Sequence, residues 1–210
     1  MLLPLGDQGL LIRFASSLSD EANRAAIAFA RRLSTAMPHG VSEIDPNLVS
    51  VLLKYDPARV SYEQLAGEVR LLLNGGDVAD TAPAARHLIP VRFDGDDLDA
   101  VATALRLTPG DFVRAHCTRP LRVLTTGFAP GFVYCGFHPA ELELPRRETV
   151  RGQVPTGTLL FAARQTAIAS TPIPTGWHVI GHTDFSNFDP AASPPTILRE
   201  GDEVAFEAAP

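Results

Sequence analysis

Apolar residues recur along the first 85 positions with two different periods. Gly9 to Ala15 is a short run rich in branched apolar side chains, which predicts a strand. Further on, Ala22, Ala26, Phe29, Ala30, Leu33 and Met37 fall three or four residues apart, the spacing of one helical face. Ser19 stands before them as a cap, Asp20 and Glu21 suit the positive end of the helix dipole, and Pro38-His39-Gly40 ends the helix. From Leu48 to Tyr55 the period returns to two, with Val49, Val51, Leu53 and Tyr55 on one face of a strand. Ser61 and Gln64 then form a capping box for a second helix with the stripe Leu65, Val69, Leu72 and Leu73, stopped by Asn74-Gly75-Gly76.

Residues 74–86, NGGDVADTAPAAR, have the composition of a linker, and divide the chain into an N-terminal α+β domain, 1–85, and a second domain, 86–210. The second opens with a strand from His87 to Phe93. Two short helices follow, about 97–106 and 109–116, the latter capped by Thr108 with Pro109 at the first helical position. Beyond Leu121 the texture changes to short apolar runs (121–126, 158–163, 166–170, 177–182 and 203–207) separated by Gly and Pro turns, which predicts a closed or sandwich-like β domain.

Composition narrows the function classes. A net charge of −6 argues against a nucleic-acid or anionic-membrane surface, and no apolar stretch approaches the roughly 20 residues of a membrane span. The segment Met1 to Phe14 lacks the basic flank of a signal peptide, so the cytoplasm is the expected compartment. Cys117 and Cys135, with no CxxC spacing, are expected as free thiols, and six scattered histidines predict no metal site. Lys54 is the only lysine, which excludes the P-loop pattern; any phosphate must be met by arginines, backbone N–H groups or a helix N-terminus.

Candidate chemistry gathers after residue 116. In the segment 126–132, Gly127, Phe128, Pro130, Gly131 and Phe132 alternate turn and aromatic residues, and Tyr134 follows; the pattern suits a small planar ligand resting on exposed N–H groups, or a tight turn with aromatic anchors. Arg146, Arg147 and Arg151 can converge on a carboxylate or phosphate, or form a solvated basic rim. Gln165, next to Thr166, offers a donor and an acceptor to an amide. Trp177 reads as core or ligand platform, and His116 and His182 as general acid–base groups or structural residues. The absence of a GxSxG elbow makes an acyl-enzyme a poor expectation.

In their order along the chain, GFAPGFVYCG, PRRETVRGQVPTG, the QT pair at 165–166, PTGWHVIGHT, FDP and PPTILREGDEVAF resemble the B component of bacterial ATP-dependent 5-oxoprolinase. That family takes in the Kip-type histidine-kinase inhibitor and allophanate hydrolase subunit 1. GDQGLLIRFA, IDPNLVSVLLKYDP and IPVRFDGDDLDAVA agree with it nearer the start. The resemblance implies an α+β (ferredoxin-like-type) domain followed by a cyclophilin-like β-barrel. It also implies a companion C component, similar to allophanate hydrolase subunit 2, a separate A component, and ATP (with Mg) spent in opening 5-oxoproline to glutamate. Phosphorylating the lactam oxygen makes a poor electrophile a good one, so His116, Arg147 and His182 become candidate catalytic groups. Gly127 to Tyr134, Arg146, Arg151, Gln165, Thr166 and Trp177 become candidates for holding substrate or ATP. A carboxyltransferase-type role toward urea, and a kinase-binding module without chemistry, are the alternatives. The chain departs from the family pattern at Ala163 and Ala167, where glycine is expected, and at His182, where arginine is expected.

Overall fold

A computed structural model describes residues 1–75 and 84–209. Its compact units are Met1–Pro83 and Ala84–Pro210, and both mix helices with largely antiparallel sheet, an α+β fold.

The first unit is a four-stranded antiparallel sheet backed by two helices. Its strands are β1 (Leu2–Leu5), β2 (Gly9–Arg13), β3 (Val41–Asn47) and β4 (Ser50–Tyr55), in the order β1-β2-β4-β3. The hairpin partner β1 and the strand β3 add to the two strands the periodicity gives. Helix α1 (Asp20–Ala36) starts where Ser19 accepts the Ala22 N–H, and α2 (Tyr62–Asn74) starts with both bonds of the Ser61–Gln64 box. Leu10, Ile12, Val51 and Leu53 from the sheet close over Phe29, Leu33, Leu65 and Val69 from the helices. Met37 leaves the predicted stripe: it caps α1 at φ 41° and is 56% exposed. Most of the expected linker, residues 76–83, lies outside the described residues.

The second unit is built on a curled seven-stranded sheet. It contains β5 (Arg86–Val91), β6 (Leu121–Thr126), β7 (Val133–Gly136), β9 (Thr158–Ala162), β10 (Gln165–Ile168), β12 (His178–His182) and β13 (Glu203–Ala208), in the order β12-β9-β10-β7-β6-β13-β5. All neighbours are antiparallel except β13 and β5. Just beyond β5, Arg92 exchanges both backbone hydrogen bonds with His182, at 2.9 and 2.8 Å, so the two edges of the sheet meet there. Helices α3 (Leu98–Ala104) and α4 (Pro109–Cys117) lie against β12 and β13. Thr108 caps α4 by accepting the Asp111 N–H.

Alternation along these strands makes two cores. One face, with α3 and α4, buries Val123, Cys135, Leu159, Phe161, Ile168 and Val204 around Phe112. The other is covered by a two-stranded ribbon, β8 (Arg151–Val154) with β11 (Ile173–Thr175), over Leu160, Ala167, Val179 and Trp177. No described helix is long and apolar enough to cross a membrane.

Candidate functional site

The ribbon-covered face carries a row of aromatic rings. Phe128 meets Phe132 at 5.6 Å between centroids, Phe132 meets Tyr134 at 4.8 Å, and Tyr134 meets Trp177 at 5.7 Å, all edge to face. Such pairs stabilise by roughly 0.5–1.5 kcal/mol each beyond the area they bury. The row ends at Arg146, whose guanidinium carbon stands 5.6 Å from the centre of the Trp177 ring. Burial pushes the Tyr134 phenol up from its ordinary pKa, and the nearby Arg146 charge works against that rise.

Gln165 belongs to the same face. On β10, Gln165 and Ala167 alternate with Thr166 and Ile168, and Ala167 pairs with Tyr134 while Gln165 pairs with Gly136 and Ala162. Two small neighbours leave the Gln165 side chain room: its Cγ lies 3.3 Å from where a Cβ on Gly136 would stand. It is 7% exposed, and its amide has no hydrogen-bond partner among the described residues.

The loop between β6 and β7 is rigidly built. Gly127 donates to the Phe132 carbonyl and Phe132 to the Ala129 carbonyl, both at 3.0 Å. The Gly131 carbonyl accepts from Ser170 Oγ at 2.6 Å and from the buried Asn187 Nδ2 at 2.9 Å. Gly131 has φ +67°, and a Cβ there would lie 2.5 Å from the Phe188 Cβ, so only glycine fits. Phe128, held at φ 76°, keeps its ring 71% exposed, and Pro130 lies beside it. At the base of the loop the Glu200 carboxylate accepts from the Thr126 N–H at 3.0 Å and its hydroxyl at 2.6 Å.

Arg147 and Arg151 converge, but on an internal carboxylate. Asp97, at the start of α3, accepts from Arg147 and, at 2.8 Å, from Arg151 through Oδ1, and from the Val179 N–H at 2.8 Å through Oδ2. Burial acts to raise the Asp97 carboxyl, but the Val179 N–H and the two guanidinium groups hold it below its ordinary value. Arg151 also reaches Asp96 at 3.4 Å. Arg146, by contrast, has no ion pair among the described residues. The Arg147 N–H donates to the Gly176 carbonyl at 2.7 Å, so the neighbours of Arg146 and Trp177 are tied together.

The candidate histidines lie elsewhere. His116 is 1% exposed in the inner core, and its Nε2 shares the Thr166 hydroxyl with His138 Nε2, both at 2.8 Å. A hydroxyl has one proton, so it donates to one imidazole and accepts the N–H of the other. Burial drives both imidazoles toward the neutral form, His116 well below its ordinary value and His138 down to about 3. His116 is sealed among Phe93, Phe112, Phe161 and Phe206, with Thr166 as its partner, away from the aromatic row of the outer face. His182 sits at the far end of β12 from Trp177, its Nδ1 2.7 Å from Asp94, in the seam where the sheet edges meet. The hydrogen bond from His182 holds the Asp94 carboxyl below its ordinary value.

The structure thus gathers Phe128, Phe132, Tyr134, Trp177, Arg146 and Gln165 on one face. It sets His116 and Thr166 on the opposite face, and His182 at the seam. Asp97, His138, Asn187 and Glu200 were missed from sequence; only Asp97 carried a signal, as part of the acidic run GDD ahead of a helix. A polyphosphate fits this equipment poorly, because two of the three arginines are already engaged by Asp97 and Asp96. Among the described residues no cluster of three or more His, Cys, Asp or Glu side chains could hold a metal ion. Cys117 and Cys135 are free thiols, pushed up by burial to about 11 and about 12.

Over residues 1–198, which take in the first unit and most of the second, the chain matches the family described as carboxyltransferase domain, subdomain C and D, and it belongs to that family. Within that family the chain is 30% identical to the 5-oxoprolinase B component of Bacillus subtilis (strain 168), over 96% of this chain and 90% of that protein. The crystal structure of TTHA0988 in space group P212121 superposes with a TM-score of 0.85 at 36% identity over 97% of this chain, which spans 40% of the length of that protein. The Kluyveromyces lactis urea carboxylase shares the fold at a TM-score of 0.78 and 13% identity, covering 100% of this chain and 22% of the other.

Proposed function

We propose that this chain is the B component of an ATP-dependent 5-oxoprolinase assembly, in which it holds the lactam while the companion C and A components complete the enzyme. The observation that carries the reading is the near full-length likeness to the 5-oxoprolinase B component. The outer face supports it, since Gln165, Tyr134, Trp177 and Arg146 offer an amide partner, flat apolar walls and a cation to a small cyclic amide acid. The unit Ala84–Pro210 is read as a cyclophilin-like barrel and Met1–Pro83 as a ferredoxin-like-type domain. The longer chain of TTHA0988 is consistent with a domain that works beside further polypeptide. The proposed compartment is the cytoplasm.

On this reading the residues of the outer face bind and orient. Gln165 meets the lactam amide with one donor and one acceptor. The aromatic walls exclude water, which strengthens each polar contact made inside them. The test is reconstitution: this chain and the C and A components are combined, and glutamate and phosphate are followed with ATP and 5-oxoproline. Glutamate formed only when all parts and ATP are present is the expected result, and a stable assembly that never forms glutamate refutes it. The match to a carboxyltransferase family favours one second reading, a protein that handles urea or a related amide with a biotin carrier. Avidin separates the two, since it leaves the 5-oxoprolinase reaction untouched and stops a biotin-dependent one.

A further inference from the structure

We infer that the outer face of this chain reads one carboxylate and one amide of a single small ligand, through Arg146 and Gln165, and that the phosphates of the nucleotide are held elsewhere in the assembly. This deepens the reading above and rests on it.

Charge decides which arginine is available. Arg147 and Arg151 share the Asp97 carboxylate, and Arg151 also faces Asp96. Drawing either onto a ligand phosphate would take one of the two guanidinium partners from Asp97, which is 7% exposed. Arg146 alone of the three is free, with one side of its guanidinium set over Trp177 and its fork open to an acceptor. One fork matches one carboxylate bidentately; it does not match the several charges of a polyphosphate.

Geometry supplies the second half. Gln165 is 7% exposed and its amide has no hydrogen-bond partner among the described residues, so both its donor and its acceptor are available to a ligand. It shares a face with Tyr134, and its cross-strand and next-in-strand neighbours on that face, Gly136, Ala162 and Ala167, are small. Arg146 is placed for the same ligand because Arg147, clasped by Asp97, also binds the Gly176 carbonyl next to Trp177. Asp97 is therefore a positioning residue for Arg146, acting through Arg147.

Trp177 is the only tryptophan, so its fluorescence reports on this face alone. The purified chain is titrated with 5-oxoproline, with 2-pyrrolidinone, which has the same lactam and no carboxylate, and with magnesium-ATP. Saturable quenching by 5-oxoproline is expected, with 2-pyrrolidinone weaker by about tenfold or more, the loss of a charged hydrogen bond, and no response to the nucleotide. Arg146→Ala should weaken 5-oxoproline by a similar factor and Arg146→Lys should recover part of it. In the assembled enzyme Arg146→Ala should raise KM for 5-oxoproline and leave KM for ATP unchanged. Equal binding of the two lactams, undiminished binding by Arg146→Ala, saturable binding of the nucleotide, or no response to 5-oxoproline each overturns the inference. An assembly that forms no glutamate while the chain still binds 5-oxoproline through Arg146 would instead refute the 5-oxoprolinase reading.

Discussion

The two faces of strand β10 solve opposite problems with adjacent residues. Thr166 points inward and is satisfied on both sides by buried imidazoles, whereas Gln165 points outward and is satisfied by nothing the described chain provides. Both are buried and polar, so burial alone does not mark function. The difference lies in what each face provides: on the inner face both imidazoles share the Thr166 hydroxyl, although His138 Nδ1 is left buried without a partner, and on the outer face an amide and a guanidinium share a side with the row of rings.

The contrast can be broken from either side. Thr166→Val removes the partner of two buried nitrogens and should cost roughly 2–4 kcal/mol in urea unfolding. Gln165→Ala next door should cost about 1 kcal/mol or less and instead abolish quenching by 5-oxoproline. Similar stability losses for both would erase the distinction between the faces. Asp97→Ala leaves two adjacent guanidinium groups without their carboxylate; as these are about a quarter exposed, at 26% and 28%, the cost should be about 2 kcal/mol. Asp97→Asn, which keeps an acceptor for Val179, should recover part of it, and equal losses would show the ion pairs with Arg147 and Arg151 to be the whole of the effect.

A pH series probes the inner face alone. Unfolded histidine takes up its proton near 6.5, whereas folded His138 does so only near about 3, and His116 is lowered in the same direction. Between those values the unfolded chain binds more protons, so stability is fully present above about pH 6.5 and falls as the pH drops toward 3. The slope should approach about 1.4 kcal/mol per pH unit for each imidazole. Asp94 and Asp97, both held below the ordinary carboxylate value, add a loss of the same sign only as the pH falls into the carboxylate range, so the interval from pH 7 to pH 5 reports on the imidazoles. Unfolding midpoints that stay flat from pH 7 to pH 5 would rule out neutral, sealed imidazoles. The smallest effect expected is a gain. Ala163 and Arg164 join β9 to β10 with φ of 49° and 62°, a turn that favours glycine. Ala163→Gly should stabilise by about 1 kcal/mol or less, seen as a higher melting temperature.

That turn also shows what the sequence could and could not tell. Ala163 stands where the resemblance leads one to expect glycine, and its backbone adopts the left-handed conformation that glycine favours, with alanine in it. Helices α1 and α2 were legible because caps and stripes are local signals written within a few residues. Strand β3 was not, because a bulge between Val41 and Glu43 and the proline at 46 break its alternation. The ribbon strands β8 and β11 have too few residues to show a period. At the candidate site the aromatic and arginine clusters stood out as residue types, and five of them do meet. Which arginines were taken could not be read, since their carboxylate comes from 50 and 54 positions away. Nor could the neighbours Gln165 and Thr166 be sorted, because a strand sends adjacent residues to opposite faces and the run gave no sign of which was inner.

The pairing of β5 with β13 has a consequence for how the chain is made. Ala85 and Asp202, which bond beside these strands, are 117 positions apart, and the parallel pair cannot form until nearly the whole second unit has left the ribosome. At translation speeds of roughly 5–20 residues per second the first strand waits on the order of ten seconds for its partner. During that interval Leu88 and Ile89 are a sticky edge without a sheet, and closing so long a loop is slow even afterwards. Yield in a cell should therefore depend on chaperones that shield nascent chains, and fall when translation outruns them.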